Sequence, residues 1–134
     1  MRTKLVLATT GLLLVSGPAS AHHAFSAEFD ADRPLVLQGH VIKTEWINPH
    51  SWIHIEVESD DGQRIAWEVE CGAPNALMRR GLNKNSIPVG TELVVDGFRA
   101  KDGSNRANAR DITLPDGSKF FVGSSGTGAP YESR

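Results

Sequence analysis

Two runs of alternating apolar and polar residues, a turn sequence between them and one short helical stretch after them predict an all-β domain with one short helix. The runs cover residues 50–58 and 64–71 and are joined through Asp60-Asp61-Gly62, the pattern of a β-hairpin. A long strand precedes the hairpin, and the helix and at least two more strands follow it. That order predicts a small OB-fold-like five-stranded barrel, with a β-sandwich as the alternative.

Residues 35–46 form a long run rich in β-branched side chains, and Gly39 within it predicts a bulge or sharp bend. Asn48-Pro49 ends that run. The hairpin's register follows from its apolar face. A two-residue Asp61-Gly62 turn would set Ile53, Ile55 and Val57 on one face with Glu68 and Glu70. A three-residue loop with Gly62 left-handed shifts the pairing by one. Ser51, Ile53, Ile55 and Val57 then share a face with Ile65, Trp67, Val69 and Cys71, and this nearly all-apolar arrangement is the one expected.

The opposite face carries His50, Trp52, His54 and Glu56 beside Arg64, Ala66, Glu68 and Glu70. His54 stands opposite Glu68, and Trp52 opposite Glu70. Residues 74–80 read as the helix, with Pro74 in its first turn, Gly81 as its stop and Leu77, Met78 and Leu82 packing it down. Strands follow at residues 92–100, 109–114 and 119–122, making a barrel domain of residues 35–122. The Gly- and Ser-rich residues 123–134 read as a flexible tail.

The first residues read as an export signal. Arg2 and Lys4 precede an apolar run ending at Val15, and Ala19-Ser20-Ala21 is a small-x-small cleavage site. The run is far short of the roughly 20 residues needed to span a bilayer. Residues 1–21 are therefore expected to be cleaved, leaving no membrane anchor and a periplasmic or secreted protein. Residues 22–34 would form an extended N-terminal arm. The formal net charge is −2, and removing Arg2 and Lys4 makes the chain more acidic. With no basic cluster, nucleic acid is not an expected partner. Cys71 is the only cysteine, so no internal disulfide forms, and it reads as a small buried hydrophobe.

Cleavage after Ala21 would make His22 the first residue, followed by His23. An N-terminal histidine presents a metal with two nitrogens, its α-amine and its imidazole, and further histidines complete a brace. Imidazole ligands suit copper, and Cu(II) tops the divalent affinity order. His50 is a candidate for another nitrogen, with Glu70 as ligand or orienting carboxylate.

The first function expected is thus an exported metal-binding module, copper first, which coordinates without turnover. The second is a module for a small non-metal ligand or a periplasmic protein partner, bound on the outer face of the hairpin. There Trp52 would stack, with His54 and Glu68 beside it. An enzyme, such as a copper oxidase using the brace, is the least expected, because no nucleophile–base arrangement assembles and so small a barrel offers little substrate pocket. The pair His50 and His54 lacks the glutamate of a zinc-protease helix, having Ser51 at that position. His40 reads as structural, Trp67 as core and Arg79-Arg80 as a solvated helix end.

His22-His23-Ala24-Phe25-Ser26-Ala27-Glu28-Phe29-Asp30 resembles the mature N-terminus of an exported bacterial family of unknown function, and Trp46-Ile47-Asn48-Pro49-His50 resembles its second motif. The segments at residues 74–81 and 100–104 are similar to its later ones. The resemblance implies a small secreted β-rich domain and brings no activity. By motif position His22, His23, His50 and Glu70 match the family, whereas His54 and Cys71 fall outside the pattern. Ala24 stands where the family usually has serine.

Overall fold

The hairpin takes the register its apolar face demands. In the computed structural model, which describes residues 24–133, β2 (Trp52–Glu58) pairs with β3 (Arg64–Glu70) so that Ile53 faces Val69, Ile55 faces Trp67 and Val57 faces Ile65. The loop closes through hydrogen bonds from Ser59 N–H to the Gln63 carbonyl and from Gly62 N–H to the Ser59 carbonyl. Gly62 has a φ of +79°, the left-handed conformation that a three-residue loop requires.

The long first strand, β1 (Phe29–Glu45), holds the fold together by pairing on both sides. It runs antiparallel to β4 (Glu92–Ala100) through residues 34–40 and to β2 through residues 40–45. The change of partner occurs at Gly39 and His40, where the strands come close. A Cβ on Gly39 would lie 2.5 Å from the Glu56 carbonyl oxygen. Of the bulge or sharp bend expected at Gly39, the bulge lies between Val41 and Lys43. The glycine allows close approach, and the extra residue, Ile42, provides the irregular pairing.

β5 (Arg106–Thr113) pairs antiparallel with β4 and then parallel with β3, so that Glu68 faces Arg106, Val69 faces Ala107 and Glu70 faces Asn108. This parallel pairing closes β1, β2, β3, β5 and β4 into a ring, the five-stranded closure expected of an OB-like fold, and excludes the sandwich. The short β6 (Lys119–Phe121) extends the sheet beyond β5. Inside the ring Ile55, Val69, Leu93, Val95 and Ile112 are fully buried. α2 (Pro74–Arg79) contributes Leu77 to this core, and Leu82 joins it just beyond the helix.

Two expectations at the chain ends are corrected. The arm is not extended throughout: Ala24–Glu28 forms a helical turn, α1, so the described chain has two short α-helices. Phe25 and Phe29 are one turn apart and pack with their rings tilted, centroids 5.8 Å apart, while Phe98 meets Phe25 edge-on at 5.5 Å. Burial of this aromatic face overrides the extended reading. The C-terminal segment is not a free tail either. Ala129 is buried, Tyr131 packs against Phe98 and Phe121, and Pro130–Ser133 form a 3-10 turn. The Glu132 carboxylate accepts hydrogen bonds from the N–H groups of Thr127 and Gly128, and Phe25 N–H donates to the Thr127 carbonyl. Glycine-rich composition concealed a segment anchored by one aromatic residue. The two ends form a second small core beside the ring.

Candidate functional site

His50 lies just before β2, and the backbone there continues the hairpin. Ser51 N–H donates to the Gly72 carbonyl and Cys71 N–H to the Ser51 carbonyl. His50, Trp52 and Glu70 therefore share the outer face, with His50 diagonal to Glu70 across the strand pair. His50 Nδ1 stands 3.1 Å from Glu70 Oε1. Two of the residues singled out from sequence are thus brought together.

Glu70 points outward from the ring yet is only 6% exposed. Its carboxyl is pushed up from 4.5 to about 7, first by burial and second by the negative charge of Glu28 on α1. Arg106 and a hydrogen bond from the Asn108 side chain act in the opposite direction. Asn108 is 1% exposed, and its Oδ1 accepts a hydrogen bond of 3.2 Å from the Tyr131 hydroxyl. Arg106 lies 3.3 Å from Glu68 and 3.6 Å from Glu28.

A cavity of about 280 Å³ opens beside His50. Its walls are Pro49 and His50, the start of α2 with the preceding Gly72 and Ala73, the C-terminal segment from Ser124 to Thr127, and Ala24. Ala24 is the residue that follows His22 and His23 in the chain. His22 and His23 themselves lie outside the described residues. Among the described residues no group of three or more His, Cys, Asp and Glu side chains is placed to hold a metal ion.

The other candidates are spread elsewhere. His54 faces Glu68 in register, but its ring nitrogen Nε2 is 2.7 Å from Glu45 on β1, so the expected His54–Glu68 side-chain pair is replaced by His54–Glu45. Glu68 is turned instead to Arg106. The Arg106 guanidinium also sits 4.9 Å from the ring centroid of Trp52, covering one face of the indole proposed for ligand stacking. Cys71 is fully buried, and burial raises its thiol pKa far above the reactive range. His40 lines a separate polar groove with Glu56, Glu58 and Glu92. Arg80 is no plain solvated helix end: it covers Phe121 at 4.6 Å and donates to the Gly123 carbonyl at 2.9 Å.

Asn108, Arg106 and Tyr131 escaped the sequence reading. Asn108 was an asparagine between two alanines just before the strand expected at 109–114, Tyr131 a lone tyrosine in a glycine-rich stretch, and Arg106 carried no signal. Residues 10–109 match the model of a family of unknown function, DUF6152. The chain belongs to this family. The matched stretch contains His22, His23, His50, Glu70 and Asn108 and stops before Tyr131. No curated protein and no solved structure matches the chain.

Proposed function

We propose that this family member is an exported metal-binding module in which copper is held between a mature N-terminal His22 and His50. One observation carries the reading: a histidine oriented by a buried carboxylate shares a cavity with Ala24, two residues beyond the proposed N-terminus. A carboxylate beside Nδ1 favours the proton there and leaves Nε2 as the nitrogen available to a metal, the usual outer arrangement of a metal-bound histidine. Two residues of chain span at most about 7 Å. The α-amine and imidazole of His22 are therefore tethered within reach of the cavity that His50 lines, with His23 able to add a nitrogen. Glu70 then acts as the orienting carboxylate, and an all-nitrogen set of this kind favours copper. The protein would carry, buffer or sense the metal in the periplasm or outside the cell.

The rival reading, a non-metal ligand or partner on the outer hairpin face, has less support. Arg106 covers Trp52, Glu45 engages His54, and Glu68 is turned to Arg106.

The test is a competition titration with Cu(II) on two samples, one beginning at His22 and one carrying an extra alanine before it. Tight one-to-one binding by the first, weakened at least tenfold by the extension and by His50→Ala, is the expected result. Equal binding by both samples, or none, overturns the reading.

A further inference from the structure

We infer that Tyr131 and Asn108 are positioning residues for His50, linked to it through Glu70. Four polar groups form a line from the C-terminal segment to the candidate ligand. The Tyr131 hydroxyl donates to Asn108 Oδ1 at 3.2 Å, Asn108 hydrogen-bonds the Glu70 carboxylate, and Glu70 Oε1 stands 3.1 Å from His50 Nδ1.

The line has a definite sense when the Tyr131 hydroxyl donates to Asn108 Oδ1. An amide whose oxygen is occupied by a tyrosine hydroxyl can offer the carboxylate only its NH₂ group. Burial, aided by the charge of Glu132, raises the Tyr131 pKa to about 12, so the hydroxyl keeps its proton, with Asn108 Oδ1 at 3.2 Å and the Ser124 carbonyl at 3.3 Å as its two acceptors. Asn108 stands beside Glu70 in the parallel β3–β5 register, and Glu70 Oε1 is the oxygen that faces the imidazole. Asn108 and Glu70 are both more than nine-tenths buried, so water is a poor substitute for either contact. The Tyr131 hydroxyl is also within 3.3 Å of the Ser124 carbonyl, in the wall of the His50 cavity. The C-terminal segment thereby sets both the ring and one wall of the same site. Of the four groups only Tyr131 lies outside the matched family stretch, which ends at residue 109. Its consequence for metal affinity rests on the metal-binding reading; the orientation of His50 does not.

The experiment uses the chain beginning at His22, free of metal and at pH 8, and reads the histidine ring nitrogens by long-range proton–nitrogen NMR. Wild type is compared with Tyr131→Phe, which keeps the ring packed on Phe98 and Phe121, and with Asn108→Ala. Phe98→Leu loosens the same aromatic cluster without touching the polar line. His50 is expected to carry its proton on Nδ1 in wild type and in Phe98→Leu, and to shift toward a mixture of tautomers in the other two. Copper affinity is expected to fall about 3- to 10-fold in Tyr131→Phe, at or below the low end of what orienting partners contribute. Unchanged His50 signals in Tyr131→Phe, or an equal shift in Phe98→Leu, overturn the inference. The expected NMR pattern without copper binding by wild type upholds the positioning and removes the metal-binding reading.

Discussion

Replacing Glu70 with glutamine should stabilise the metal-free protein above neutral pH and leave its stability nearly unchanged at pH 4. The Glu70 carboxyl is raised from 4.5 to about 7 by burial and by the charge of Glu28. Below 4.5 the folded and unfolded chains both keep this proton. Between 4.5 and about 7 the unfolded chain releases it while the folded chain retains it, so stability falls as pH rises through that window. Above 7 the loss is complete and amounts to about 3 kcal/mol. For a domain of this size that corresponds to roughly 10 °C in Tm.

Glutamine has the same shape, can still meet Asn108, and carries no charge to bury. The assay is a pair of thermal melts, wild type and Glu70→Gln, in chelator at pH 4, 6, 7 and 8. Asp61, Asp102 and Asp116, whose carboxyls are held below the usual range by local hydrogen bonds, are common to both proteins and drop out of the difference. A gap in Tm that opens between pH 4 and 8 in favour of the variant is expected. A constant gap, or a variant less stable at pH 8, would show that Arg106 and His50 compensate the buried charge and that the reasoning is wrong.

Further outcomes follow from the same contacts. Ile55→Ala removes a fully buried side chain from the ring core and should cost about 2–5 kcal/mol in urea unfolding. His54→Ala should leave copper affinity unchanged in the competition titration, because Glu45 holds that ring apart from the His50 cavity. Phe25→Ala should weaken copper binding while the far-ultraviolet spectrum keeps its strand signature, since Phe25 pins α1 to the C-terminal segment outside the main core.

The parts of the fold legible in the sequence were those governed by short-range pattern. The hairpin register followed because one of two pairings buried glutamates and the other buried Ile, Val and Trp. The helix followed from Pro74 and Gly81, and the ring from element order. Three features were not legible because long-range packing decides them. The bulge sits at Ile42 because β1 must serve two neighbours, while the glycine is needed for close approach instead. The segment from Gly123 reads as a linker until Tyr131 finds Phe98 and Asn108. His54 chooses Glu45 over Glu68 because Arg106, brought in by the parallel β3–β5 pairing, takes Glu68. At the candidate site, the outer-face pattern put His50 and Glu70 together. Burial of Glu70, and the line of groups behind it, came from β5 and the C-terminal segment.

In the proposed function His50 and the N-terminal histidine bind one copper ion. Electron spin-echo spectroscopy of the Cu(II)-loaded protein beginning at His22 tests it most directly, because remote imidazole nitrogens modulate the echo and can be counted. The modulation is predicted to show at least two imidazoles in wild type and one fewer in His50→Ala, with the extra-alanine sample losing the N-terminal contribution. Identical modulation in wild type and His50→Ala would place the copper away from His50 and overturn the proposed site.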